Sequence, residues 1–166
     1  TASPRWCARP MVAVQMAGRS VGRVVERRGK DFREERVRLE LSSFGYDRAL
    51  LANDRPLVAA WGNGKSLRVW NWEQGALVRE FAWEEGDRML NATAFRKGGE
   101  QLLIARVRGE QGAMLEDWDL RTGKKLRDWK LPAAGSAITL SPDERYFVTA
   151  ASQGRFPRAL PEAKIA

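Results

Sequence analysis

Apolar residues in this chain fall in short runs separated by turn-forming residues. The pattern is clearest between residues 48 and 83, where RALLA (48–52), LVAAW (57–61), SLRVWNW (66–72) and ALVREFAW (76–83) alternate with turns at 53–56, 62–64 and 73–75. Asn, Asp and Pro set the first turn, and Gly-Asn-Gly accepts the positive φ of a tight hairpin. Short strands joined by tight turns predict one antiparallel meander.

The strands are apolar on both faces. In SLRVWNW, Leu67 and Val69 point one way and Trp70 and Trp72 the other. A sheet open to water on one side would alternate apolar with polar positions. Two apolar faces require a layer on each side, which a ring of stacked four-stranded sheets supplies.

The unit repeats. RPMVAVQMAGRSVGRVVE from Arg9 aligns without a gap to RPLVAAWGNGKSLRVWNW from Arg55, an offset of 46. WNWEQGALVREF from Trp70 aligns to WDLRTGKKLRDW from Trp118, an offset of 48. Leu51, Phe95 and Leu140 form a third series, each followed seven residues later by Val58, Leu102 or Phe147. A period of this size marks a repeat architecture. The predicted units are a blade remnant at 9–41, whose opening strand is missing or degenerate, blades at 48–83 and 90–131, a partial blade at 136–152 and an irregular tail at 153–166. Within the remnant, the charged stretch 24–41 reads as a solvated outer edge in preference to a separate basic arm.

LEDWDLRTGKKLRDW (115–129) resembles the third strand, turn and fourth strand of a WD-repeat blade, with Trp118–Asp119 as the eponymous dipeptide. SPDERYFVTAAS (141–152) resembles that family's turn into its second strand. The resemblance implies an all-β fold: a partial β-propeller of four-stranded antiparallel blades, about three to four in number. The chain departs from the family in having no histidine. The Gly-His pair is absent, the Asp-His-Ser/Thr-Trp tetrad cannot form in full, and packing is expected to carry the blades.

Composition then narrows the chemistry. With no His and a single Cys, Cys7, a Ser-His-Asp or Cys-His site is excluded and a zinc site disfavoured. GNGK (62–65) sits in a hairpin and not at a helix start, so it is not read as a phosphate loop. The acidic pairs Glu34–Glu35 and Glu84–Glu85 read as solvated charges. No enzyme activity, cofactor or metal is expected. No run reaches the ~18 apolar residues of a membrane-spanning helix, and no membrane partner is expected. One unpaired cysteine fits a reducing compartment, so the cytoplasm is the expected location.

The net charge is +8, with ten Lys/Arg against five Asp/Glu in residues 1–40. That balance permits nucleic acid, anionic lipid or an acidic protein as partner. Five Trp (70, 72, 83, 118 and 129) lie among Arg and Lys, but Trp70 and Trp118 occupy equivalent repeat positions, as do Phe81 and Trp129, and read as core. The resemblance implies a scaffold for protein–protein interaction. It places partners on the end made by second-to-third-strand hairpins and inter-blade connections. Those loops carry Arg19, Lys65 and Arg108 on hairpins, and Trp83 and Arg88 between blades. The alternative is a basic module binding RNA or DNA. The chain begins at Thr1, not Met, and its blades fall short of a closed ring. It is therefore expected to be a fragment of a larger propeller protein, to complete a ring as a homodimer, or to have its ends capped by terminal segments.

Overall fold

The computed structural model describes residues 11–28, 34–62, 66–84, 86–108, 112–131, 135–151 and 163–164. Among these, all regular structure is β-strand apart from two single turns of 3-10 helix, at Ser42–Phe44 and Lys97–Gly99. The chain divides into two compact units, Thr1–Leu51 with Pro56–Glu80 and Ala52–Arg55 with Phe81–Ala166.

The first unit begins with a three-stranded antiparallel sheet in the order β1 (Met11–Ala17), β2 (Ser20–Arg28) and β3 (Glu34–Glu40). Strand β3 pairs with β2 as the outer strand, and Glu35 on it bonds Arg23 and Arg27 at 3.4 and 3.0 Å. The charged stretch is thus a paired edge, whose alternating charges discourage further strand addition. A second sheet follows in the order β4 (Arg48–Leu51), β5 (Leu57–Trp61), β6 (Ser66–Asn71) and β7 (Ala76–Ala82). Val21, Val24, Leu39 and Leu41 pack with Tyr46, Val58 and Ala60, and Trp70 and Trp72 close the side of this core. On the opposite face of β5 and β6, Ala59, Leu67 and Val69 are fully buried. Trp61, which has no partner in the repeat register, is also a core residue at 6% exposure.

The second unit contains a four-stranded sheet of β8 (Arg88–Arg96), β9 (Gln101–Arg108), β10 (Gly112–Asp119) and β11 (Lys125–Lys130). Strands β12 (Gly135–Leu140), β13 (Tyr146–Ala151) and β14 (Ala163–Lys164) form a smaller sheet. In register, Leu103 faces Ala94 and Asp117, and Ala105 faces Leu115. The Leu103, Ala105 and Leu115 face packs on Phe147, Ile138 and Leu140 of the smaller sheet. On the opposite face of the larger sheet, Phe81 meets the Trp118 ring edge-on at 5.2 Å. Both repeat-derived aromatics therefore sit in packing positions.

The turn after Trp118–Asp119 is built by one side chain. Asp119 accepts hydrogen bonds from the Thr122 N–H and hydroxyl at 2.6 and 2.8 Å, and Gly123 takes the left-handed φ of 72° that closes the turn. Asn71, at the position equivalent to Asp119, does the same for the N–H groups of Glu73 and Gln74. The dipeptide's second residue is therefore a turn former in both blades.

Charge as well as packing holds the larger sheet together. The expectation that packing alone would replace the missing tetrad needs this addition. Asp117 is fully buried and bonds Arg96 at 2.7 Å and Arg127 at 3.4 Å. Register explains the grouping: Asp117 lies across from Leu103 on one side and Arg127 on the other, so the charges share a face.

Candidate functional site

In each unit a connection between sheets packs against the strand ends beside it. In the first unit the connection between β3 and β4 lies against both neighbouring hairpin ends. The Val21 N–H, just past the β1–β2 turn, donates to the Tyr46 carbonyl at 2.6 Å. The Asp47 N–H donates to the Trp61 carbonyl at 3.1 Å, at the β5 end that leads into the next hairpin. A Cβ on Gly62 would stand 2.9 Å from the Asp47 nitrogen, so glycine is required for this close approach.

An aromatic cluster sits on that connection. Phe44 stacks on Tyr46 at 5.6 Å between centroids and lies 5.4 Å from Trp70. The Arg68 guanidinium rests over the Phe44 ring at 5.4 Å, a cation–π geometry, and its Nε donates to Glu80 at 2.9 Å. Hydrogen bonds from Ser66 and then Arg68 hold the Glu80 carboxyl below the usual range. Burial pushes the Tyr46 phenol up, and the neighbouring Arg68 charge opposes that rise. The Tyr46 hydroxyl and the Trp70 indole nitrogen are both buried without a hydrogen bond of ordinary geometry, so the cluster is rich in donors. Phe44 itself is 42% exposed.

The corresponding end of the second unit holds an ionic network. Arg106 on β9 bonds Glu116 on β10 at 3.0 Å and Asp87 at 3.4 Å, and the Trp83 ring covers its guanidinium at 5.7 Å. The Trp118 indole N–H donates to the second oxygen of Glu116 at 3.1 Å. Arg108 lies within ion-pair distance of Glu84, Asp87 and Glu116, at 3.6, 3.7 and 3.6 Å. The network joins the inter-sheet connection to strands β9 and β10.

The residues expected to meet a partner are placed as follows. Arg19 is exposed at the β1–β2 turn. Lys65 lies outside the described residues. Trp83 is half-buried on Arg106, and Arg108 is tied to three carboxylates. Arg88 opens β8, opposite Val107 in register. The structure thus links Trp83 and Arg108 through Arg106 and Asp87, while Arg19 stands in the other unit. Sequence reasoning missed Phe44, Tyr46, Arg68 and Arg106. The one signal for Phe44 was a pair of aromatics, Phe44 and Tyr46, in a short segment rich in Ser, Gly and Asp.

No protein-family model matches the chain, and no curated protein matches it either. Solved structures do. The β-propeller domain of Myceliophteria thermophila Cps50 (Swd1) superposes with a TM-score of 0.51 at 20% identity, over 64% of this chain and 32% of that one. Kuenenia stuttgartiensis hydrazine synthase matches with a TM-score of 0.48 at 18% identity, over 60% of this chain and 27% of that one. This chain therefore spans about a third of the Cps50 structure it matches. The architecture, its repeats and this likeness agree on the fold: all-β, part of a β-propeller of antiparallel blades.

Proposed function

We propose that this chain is a non-catalytic, WD-repeat-like platform that docks a protein partner on the end formed by hairpins and inter-sheet connections. The observation that carries the reading is a recurring pair. In each unit an aromatic residue from a connection covers an arginine from a neighbouring strand, Phe44 on Arg68 and Trp83 on Arg106. Aromatic and Arg side chains on a rigid frame are the residues that dominate binding energy at protein interfaces. Arg19, Lys65, Trp83, Arg88 and Arg108 belong to the proposed surface, with Phe44 and Arg68 added to it.

A nucleic-acid module is the weaker reading. Its support is the net charge of +8. Against it, Arg96, Arg106, Arg108 and Arg127 all engage carboxylates within the fold, so much of the positive charge is already matched. As the likeness extends over a third of a propeller domain, the full platform is proposed to be larger than this chain, or completed by a second copy.

The test is to pan a random-peptide display library on the folded chain and map the selected peptides by amide hydrogen exchange. The reading expects protection at the β1–β2 turn, at 41–47 and at 83–87. Protection confined to the opposite strand ends would sink it.

A further inference from the structure

The exposed part of the Phe44 cluster has a chemistry that selects a partner. We propose that Phe44 and Arg68, with Met16 and Arg19 at the same end of the unit, form a docking site for an acidic-aliphatic peptide segment of a protein partner. This rests on the platform reading above and names the partner chemistry it would use.

The apolar half of the site is Phe44 and Met16. Phe44 is 42% exposed and Met16 is 50% exposed. Register brings them to the same end of the unit, since Met16 pairs with Val21, and the Val21 N–H bonds the Tyr46 carbonyl. Phe44 is held on a turn that ends in Gly45 at a left-handed φ of 69°, and its ring is fixed by Tyr46 and Trp70. A rigid exposed aromatic loses little conformational freedom on binding.

The polar half is cationic. Arg68 keeps part of its side chain in solvent; Glu80 takes its Nε and Tyr46 is a further hydrogen-bond partner, which still leaves some of the guanidinium's five N–H groups over. Arg19 at the turn and Arg48 opposite Trp61 are both exposed at this end. A carboxylate from the partner would meet a surplus of donors, and Asp or Glu beside Leu, Ile or Phe would satisfy both halves. A fork-shaped cation on an aromatic face also favours a planar carboxylate over a point charge.

Peptides panned on the folded chain provide the probe, with Phe44→Ala, Arg68→Gln and Arg68→Lys as variants and a thermal melt to confirm folding. The expected result is enrichment of segments with an acidic residue next to an aliphatic or aromatic one. Their affinity should fall about tenfold or more in Phe44→Ala and in Arg68→Gln. Replacing the peptide's acidic residue by its amide should couple to Arg68→Gln, so that the double change costs less than the two single changes combined. Arg68→Lys should restore only part of the affinity. Enriched peptides without acidic residues, or peptides indifferent to both variants, would overturn the site while leaving the platform reading intact. No enrichment at all, with a single-stranded oligonucleotide binding instead, would overturn both.

Discussion

Arg96 and Asp117 face each other at 2.7 Å across the sheet of the second unit, their side chains 5% and 0% exposed. Two buried opposite charges stabilise a fold only when each satisfies the other, and removing one strands its partner in a low-dielectric interior. Asp117→Leu should therefore cost about 3–5 kcal/mol. The double replacement Arg96→Met with Asp117→Leu should cost clearly less, although Arg127 also bonds Asp117 and will lose that contact. Urea unfolding of Asp117→Leu, Arg96→Met and the double variant measures this directly. Equal losses in single and double variants would show that the pair is not coupled.

Gly62 is a packing requirement as well as a hairpin residue. Its missing Cβ leaves room for the Asp47 backbone nitrogen and the Gly45 carbonyl, at 2.9 and 3.1 Å from where a Cβ would stand. Neither neighbour is a flexible side chain, so Gly62→Ala should destabilise by about 1–3 kcal/mol. A thermal melt unchanged from the parent would mean that the 41–47 connection shifts freely.

Strand burial gives a sharper contrast. Leu115 is fully buried between Ala105 and the smaller sheet, whereas Leu126 on the outer strand is 47% exposed. Leu115→Ala should cost about 2–5 kcal/mol and Leu126→Ala within about 0.5 kcal/mol. Comparable losses at both sites, measured in denaturant, would contradict the assignment of faces.

Acid should unfold the chain through its turns and pairs. Hydrogen bonds from Thr122 depress the pKa of Asp119, hydrogen bonds from Ser141 and then the Arg145 N–H depress that of Asp143, and Ser66 and Arg68 depress that of Glu80. A carboxyl with a lowered folded-state pKa stabilises above its ordinary value and loses that contribution as pH falls through the depressed one. Stability contributed by these groups should hold from neutral pH down to the ordinary carboxylate range and decline below it. Asp119→Asn and Asp143→Asn should each flatten the decline when unfolding midpoints are followed against pH.

The strands were legible because residues on both faces of each run are apolar, a pattern that survives degenerate repeats. Leu67, Val69, Trp70 and Trp72 fell on the faces that their alternation assigned them. The buried ion pairs were not legible, since Arg96 and Asp117 on one face of the sheet, and Arg106 and Glu116 on the other, look like solvated charges until register groups them. Face parity within β9 and β10 could have suggested the grouping once the hairpin was fixed. Arg106 shows the limit most plainly: it lies among apolar neighbours on a strand, and only the Trp83 ring and two carboxylates from other segments explain its burial. Phe44 was missed because it lies between strands, where periodicity has nothing to say.

The most direct measurement of the central claim compares two ligands across ionic strength on the same folded chain: a peptide selected by panning and a single-stranded oligonucleotide. A protein-docking platform should keep most of its peptide affinity as salt rises, because apolar contact carries much of it. Oligonucleotide binding, where present, should be weak and fall steeply through counterion release. Tight oligonucleotide binding with that steep slope, and no peptide binding at any salt, would contradict the account and make this chain a nucleic-acid module.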